Sequence, residues 1–478
     1  MAGGRTADRI DRADRAEGWP YPSSGEDTLV PGERTIAADR APAAVSVPSP
    51  GQTGRGDHRG DVMAGRRSGE SAPRSISGPQ APLVWKFGGT SVGDQERVRA
   101  VAERMVAAQR SGHGVVAVLS AMGKSTDALV AQAAAISPNP PLRELDALLS
   151  VGEQISCALT AMAIASLGGH AVSLTGGQAG IRTDATHGSA RMLGIDPARI
   201  RAALDEGAIV LVTGFQGESP NGDTTTLGRG GSDASAVAVA AALGARECEI
   251  FTDVPAVYTA DPRVVPDARR LTTIRPQEML ELAEAGAGVL QPRSVELAMA
   301  HGVDIHLRSS FGTEEGTWIR GGAGDFEVAG TASVAGVAHR RDEHLYTVDA
   351  PLTAVAAALA GRGLALGAVV PGPSTALTVP GADPVAVAAA LDAAGITLLG
   401  REDLGSVGVV SLGLARAPEV LASTLDVLAA AGITPRLVTT TPSRVGVLVA
   451  ADRVDDAVRA LHAALVGGET AGARRTAA

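Results

Sequence analysis

The sequence predicts an α/β fold, with a central, mostly parallel sheet covered by helices and a smaller α/β region C-terminal to it. Three observations carry that expectation. From residue 81 onward, short apolar runs alternate with helix-length amphipathic stretches. Gly-rich and polar segments recur where the apolar runs end, which in such sheets is where ligands sit. Near residue 331 the texture changes to two successive units of short strands and Ala-rich helices.

Residues 1–80 are rich in Gly, Pro, Ala, Arg, Asp and Ser and have no sustained apolar period. Such a segment cannot bury enough surface to offset the entropy of ordering it. A disordered N-terminal extension and an upstream start codon both fit it. Order is expected from Ala81. Leu83-Val84-Trp85-Lys86-Phe87 reads as a buried strand stopped by Gly88-Gly89. Residues 94–108 read as an amphipathic helix, and residues 115–119 as a second buried strand ended by Ser120-Ala121-Met122-Gly123. A helix follows over residues 128–135, and further strands over residues 208–212 and 248–252. The first domain, residues 81–322, closes after the apolar run 317–319.

The region 331–467 divides into a first unit of about residues 344–402 and a second of about 403–467, with an early strand near 333–340. Helices are expected at 351–362 and 384–394 in the first unit, and at 418–431 and 454–465 in the second. Strands are expected at 407–412 and 445–449, so two small βαβ-type sandwiches should result. Residues 468–478 read as a disordered tail.

At 478 residues the chain is long enough for more than one core. Its 45% hydrophobic and 20% charged residues are those of a soluble globular protein. With only 2% aromatics, the core must be built from Ala, Val, Leu and Ile. The net charge is −10 and no Lys/Arg stripe interleaves with aromatics, which argues against nucleic acid as a partner. No apolar run approaches the ~20 residues of a membrane span, and the N-terminus lacks the apolar core of a secretory signal. A cytoplasmic protein without a membrane partner is expected. Cys157 and Cys248 stand far apart without metal-ligand company, which fits a reducing compartment.

Three segments carry chemistry. The first is Lys86-Phe87-Gly88-Gly89-Thr90-Ser91, where a lysine ends a buried strand before two glycines and two hydroxyls. Glycines let backbone N–H groups approach an anion and the lysine adds a point charge, so the segment suits a phosphate better than a plain turn. The second is Leu227-Gly228-Arg229-Gly230-Gly231-Ser232-Asp233, which opens an Ala-rich helix after three threonines, Thr224, Thr225 and Thr226. A Gly-rich loop running into a helix N-terminus is an anion site, and Arg229 can clamp a carboxylate bidentately. Asp233 alone would more commonly be a first-turn or capping residue. The third is Thr252-Asp253-Val254 with Tyr258-Thr259-Ala260-Asp261-Pro262-Arg263, at the end of another strand of the same expected sheet. A surface loop would read the same, but its position favours a nucleotide contact. Gly123-Lys124-Ser125 imitates the end of a P-loop, yet the first glycine would have to stand at position 118, which is Val118.

In this order the motifs resemble the aspartate kinases of the amino-acid kinase family. Gly152-Glu153-Gln154-Ile155-Ser156, residues 176–180 with His187-Gly188, and Arg308-Ser309-Ser310-Phe311 add to the resemblance. It implies a three-layer amino-acid-kinase-type fold followed by tandem ACT-like (βαββαβ) domains. It also implies transfer of the ATP γ-phosphate to the β-carboxylate of L-aspartate, giving 4-phospho-L-aspartate, the first step towards lysine, threonine and methionine. ATP is then a co-substrate, with Mg2+ bridging its phosphates as phosphoryl transfer generally requires.

By the same resemblance, Lys86 bridges the transferring phosphoryl group and Asp233 holds Lys86. Ser120 and Thr126 contact a substrate carboxylate, Glu153 receives the ammonium, and Arg229, beside Ser232, takes the other carboxylate. The nucleotide set is Lys86, Phe87, Gly88, Gly89, Gly230, Gly231, Thr252, Asp253, Tyr258, Thr259, Ala260, Asp261, Pro262 and Arg263. A homodimer or higher oligomer formed through the ACT regions is implied as well.

The chain departs from the family's pattern in Ala287-Gly288-Val289-Leu290-Gln291-Pro292-Arg293, where Gly288 replaces a lysine that touches ATP phosphates and Gln291 replaces a histidine. A charge-assisted contact is worth about 1.5–3 kcal/mol, so ATP binding or turnover is expected to be one to two decades weaker. Ala256 replaces a customary glycine. The effector turns of the ACT units are reduced to Val348-Asp349-Ala350-Pro351-Leu352 and Ala415-Arg416-Ala417-Pro418-Glu419, without their glycine. Weak or absent feedback inhibition by lysine and threonine is expected. The competing readings are a catalytically weakened homologue acting as a regulatory partner, and a kinase of another small carboxylate.

Overall fold

The computed structural model describes residues 81–321, 334–414 and 417–466. The expectations for residues 1–80 and 468–478, and for Ala415 and Arg416 of the second effector turn, lie outside the described residues.

The first half is built on an eight-stranded sheet whose centre is the strand Leu83–Phe87. On one side it pairs in parallel with Val115–Leu119, which leads on to Ile209–Thr213 and Ala171–Leu174. On its other side it pairs in parallel with Glu247–Thr252, followed by Asp304–Ser309. Thr317–Ile319 turns antiparallel at that edge, so the sheet is mostly parallel with a mixed margin. The chain therefore winds outward in both directions from Leu83–Phe87, and the carboxyl end of that strand is a topological switch point, where α/β sheets form a crevice.

The pleat sends alternate residues of this strand to opposite faces. Trp85 and Phe87 join a core with Val98, Val101 and Met105 of the helix Gln95–Arg110 and with Cys157 and Ile164 of the helix Val151–Ser166. Phe87 stacks on Phe251 of the neighbouring strand at 4.8 Å. Val84 faces the other core, beneath Ala236, Val237 and Ala240 of the helix Gly231–Leu243. Lys86 shares that second face, and its register sets its ammonium beneath the start of this helix. A second, four-stranded sheet, which includes Gln216–Glu218 and Thr224–Thr226, stands beside the crevice.

Helix Gln95–Arg110 is capped by Asp94, whose carboxylate accepts from Arg97 N at 2.9 Å. The helices Leu142–Leu149 and Val151–Ser166 follow each other almost without a break, and together they are long and apolar enough to cross a membrane. This corrects the expectation that no such run exists. The run is a core element here: Leu149, Cys157 and Ile164 are fully buried, and the buried Asp146 and Glu153 belong to polar sites.

The C-terminal half differs from two separate sandwiches. Its six strands form one antiparallel sheet crossed by two long strands, Val334–Asp349 and Thr397–Ser411. The early strand near 333–340 is thus the start of a strand that continues into the first unit. The boundary expected between residues 402 and 403 falls inside Thr397–Ser411. Breaks in register along this pair, one of them between Arg340/Glu343, separate two cores on the shared sheet. Helices Leu352–Ala360 and Pro384–Ala393 close one core around Tyr346 and Leu377. Helices Pro418–Ala430 and Val454–Leu465 close the other around Val407, Val409 and Val447. Ala260, Val264 and Val265 of the first half are part of that second core.

Candidate active site

A cavity of about 340 Å³ opens at the switch point. Its lining includes Lys86, Gly89, Ser120, Thr126, Glu153, Arg229, Gly230, Gly231, Ser232 and Asp233. Residues far apart in sequence thus converge, and each arrives by a traceable route. Lys86 and Ser120 end adjacent parallel strands, and Ser120 N donates to the carbonyl of Phe87 at 3.1 Å. Gly89 crosses so close to the next loop that a Cβ there would lie 2.7 Å from the carbonyl oxygen of Ala121. Thr126 lies in the first turn of Ser125–Ile136, and Glu153 in the first turn of Val151–Ser166.

Asp233 occupies the third position of the helix Gly231–Leu243 and caps nothing. Its carboxylate forms an ion pair with Lys86 Nζ at 2.6 Å, both side chains being nearly buried. Gly230 precedes the helix in the left-handed region at φ 69°, and a Cβ there would meet Cβ of Gln291 at 2.3 Å. The loop amides and the helix N-terminus face the cavity beside the ammonium, which is an arrangement for an anion. Arg229 is exposed on the loop and, among the described residues, makes no ion pair or hydrogen bond.

Glu153 is the buried acid of the site, 3% exposed. One oxygen accepts from Ala121 N at 3.1 Å, and Oε2 is buried with no hydrogen-bond partner. Burial pushes its carboxyl up to about 7, against the smaller opposing effect of the Ala121 N–H. A buried carboxylate with one free oxygen is costly unless a cation completes it.

Phe215 and Asp146 were absent from the sequence reading, and Gln291 and Arg293 stood there only within the segment 287–293, without a supporting role. Gln291 and Phe215 line the cavity, and Phe215 holds φ 68°. Arg293 donates to the carbonyls of Leu227 and Ala190, pinning the main chain where the Gly-rich loop begins. Asp146, fully buried, accepts from Gly188 N at 3.0 Å, from Thr226 Oγ1 and from His187 Nδ1. It ties the His187-Gly188 segment to the threonine strand. Only the Gly-rich loop itself announces that such props must exist, since neither Asp146 nor Phe215 stands in a motif.

Part of the expected nucleotide set lies outside the lining of this cavity. Phe87 is buried in the opposite core and its carbonyl is taken by Ser120, so nothing of it faces the cavity. Thr252, Asp253 and Tyr258 end the adjoining strand and begin the next loop, outside the cavity lining. Thr259 and Ala260 are buried against the C-terminal half. Asp261 and Arg263 pair with each other through two guanidinium nitrogens, with Arg263 largely exposed, and Pro262 is exposed between them. Ala256 is buried and holds no left-handed conformation, so alanine fits the place of the expected glycine. Among the described residues no cluster of three acidic, His or Cys side chains is placed to hold a metal ion.

Residues 82–309 match the model of the amino acid kinase family, and residues 407–465 that of an ACT domain. An aspartokinase of Mycolicibacterium smegmatis is 46% identical over 410 residues, covering 81% of this chain and 97% of that protein. One of Thermus thermophilus is 41% identical over 404 residues, covering 80% of this chain and 98% of the relative. This chain belongs to the aspartokinase family. The fold agrees: the structure of E. coli aspartokinase III in complex with aspartate and ADP superposes with a TM-score of 0.67 at 24% identity, over 80% of this chain and all of that one. Phosphotransfer of the aspartate-kinase type is the chemistry of the family. In this aspartokinase-family chain the ion pair, the Gly-rich loop and the buried acid surround a single cavity.

Proposed function

We propose that the protein phosphorylates the β-carboxylate of L-aspartate with Mg-ATP, as the first step of the aspartate-derived amino-acid pathway. The observation that carries this reading is Glu153 Oε2, a buried unpartnered carboxylate oxygen in the same cavity as the Lys86–Asp233 pair and Arg229. An α-ammonium completes Glu153. Arg229, Ser120, Thr126 and Ser232 then supply one cation and three hydroxyls for the two carboxylates.

The β-carboxylate is ionised at neutral pH, so no general base is required. One of its oxygens attacks the γ-phosphorus, the bond to the β,γ-bridging oxygen breaks, and ADP leaves with that electron pair. The task is to bring two anions together and to hold the charge that gathers on the transferring group. Lys86 serves there, with Asp233 fixing its ammonium and the amides of Gly89 and Gly230 adding donors. Thr252, Asp253 and Tyr258 contact the nucleotide at the neighbouring strand end. The product is an acyl phosphate.

Hydroxylamine trapping tests the assignment. With Mg-ATP, aspartate should give the hydroxamate and glutamate should give little. Lys86→Met should lower turnover by about 10²–10³-fold or more, the scale for loss of one transition-state donor. Hydroxamate from another small carboxylate at higher kcat/KM than from aspartate would overturn the substrate, and no acyl phosphate from any of them would overturn the activity.

A further inference from the structure

Thr259 lies in the segment read as nucleotide-binding, yet its polar groups are committed to other partners. Its N–H donates to Arg269 O at 2.9 Å and its hydroxyl oxygen accepts from Arg269 N at 2.9 Å. Its carbonyl accepts from Val337 N at 2.8 Å, and its hydroxyl is hydrogen-bonded to His462 Nε2 at 2.9 Å. Val337 belongs to the first strand of the C-terminal half, and His462 to its last helix, Val454–Leu465. Gly336 sits against the same carbonyl, with room for no Cβ, which would come within 2.8 Å of it.

The contact is sealed from water. Thr259 is 3% and His462 5% exposed, and Ala260, Val264 and Val265 continue into the C-terminal core beside Leu461 and Val458. Burial also disfavours the charged imidazole. In such surroundings, removing one hydrogen-bonding partner leaves the other unsatisfied, which costs more than the bond itself contributed. Tyr258 adjoins Thr259 directly, and the short strand Val257–Tyr258 runs back towards Asp253 and the strand end at Thr252. The geometry of this segment is thus fixed from the C-terminal side.

We propose that His462 is a positioning residue for the nucleotide segment: by holding Thr259, it sets the placement of Asp253 and Tyr258 and with it the affinity for Mg-ATP. The inference rests on the reading of that segment as a nucleotide contact. His462→Leu in the full chain removes the polar partner while filling its space, and His462→Gln retains an amide able to reach the Thr259 hydroxyl.

Steady-state kinetics should show KM for Mg-ATP raised about five-fold in His462→Leu, with KM for aspartate unchanged, and restored in His462→Gln. Mg-ADP titration by calorimetry should show the same loss. Thr259→Val, which keeps the carbonyl contact to Val337, should mimic His462→Leu, and the double variant should be no worse than either. Should His462→Leu lose its cooperative melt, Thr259→Val bears the test alone.

An unchanged KM for Mg-ATP, or an equal rise for both substrates, overturns the proposal. Tyr258→Ala separates this from failure of the underlying reading. If it raises the Mg-ATP KM while the His462 and Thr259 variants do not, only the positioning role falls. If none of them does, the nucleotide assignment falls and the proposal with it.

Discussion

Glu153 spends one oxygen on Ala121 N and leaves the other for a ligand, and its burial moves its titration towards neutral pH. Folding raises its carboxyl from the ordinary 4.5 to about 7, so between those values the folded protein holds a proton that the unfolded chain has lost. The stability this group contributes is therefore full below about 4.5 and lost as pH rises through about 7. Without ligand, the wild-type melting temperature should fall between pH 5 and 8 relative to that of Glu153→Gln; parallel curves would refute the shift. Binding runs the other way, because the ammonium needs the ionised acid. The kcat/KM for aspartate should climb with pH through about 7 in the wild type, and should be low and flat in Glu153→Gln.

Gly288 offers a second residue-scale test. It is exposed, and a Cβ placed there meets nothing within 4 Å, so a lysine fits without displacing a neighbour. It stands three positions before Gln291, which lines the cavity. Gly288→Lys should raise kcat/KM for Mg-ATP by about ten-fold, the scale of one charge-assisted contact. No rise would mean that the chain meets the phosphates adequately without that cation.

At the scale of elements, what the sequence revealed and what it withheld divide along physical lines. Buried parallel strands are continuous apolar runs, so Leu83–Phe87 and Val115–Leu119 were legible to the residue. The Gly-rich loop was legible because its backbone demands are written in glycine. The props were not: Asp146 acts through long-range contacts that leave no local pattern, and the segment 287–293 gives no sign that its Arg293 pins the start of the Gly-rich loop. The nucleotide segment was only partly legible for a related reason. A run of motif residues gives no sign that Thr259 and Ala260 turn into another core while Asp253 stays exposed. The two long strands of the C-terminal sheet were hidden because Arg340, Arg341 and Asp342 interrupt the apolar pattern of the first, and a polar stretch near Glu402 interrupts the second.

The turn after the first of these strands carries an element-scale prediction. Asp349 is exposed, Ala350 has its carbonyl engaged by Thr375 Oγ1 at 2.8 Å, and Pro351 leads straight into the helix Leu352–Ala360. Without a glycine, this turn offers no left-handed position at which main-chain N–H groups could gather round an amino-acid ligand. Lysine and threonine, singly or together, should leave the initial rate unchanged at sub-millimolar concentration. Inhibition in that range would show that the effector site survives the loss.

For the molecule as a whole, the two halves share a core as well as a chain. Ala260, Val264 and Val265 leave the kinase half to pack with Val334, Val337 and Leu461, and Arg444 of the C-terminal sheet pairs with Glu281 at 3.3 Å while Ser443 Oγ donates to the same carboxylate at 2.6 Å. A chain ending at Gly321 would expose three apolar side chains and leave the Thr259 hydroxyl and carbonyl without their C-terminal partners. Each fully buried valine forfeits about 1.5–3 kcal/mol on exposure, and each unpaired polar group adds a penalty of the same order wherever water is excluded. Those losses rival the whole stability of a typical domain. Residues 81–321 expressed alone should therefore be insoluble or melt well below the full chain, and should bind Mg-ADP weakly by calorimetry. Residues 81–466 should restore both properties, and adding the separate C-terminal half in trans should restore them in part. A soluble 81–321 fragment with the melting temperature and Mg-ADP affinity of the full chain would show that the shared core is dispensable to the kinase half.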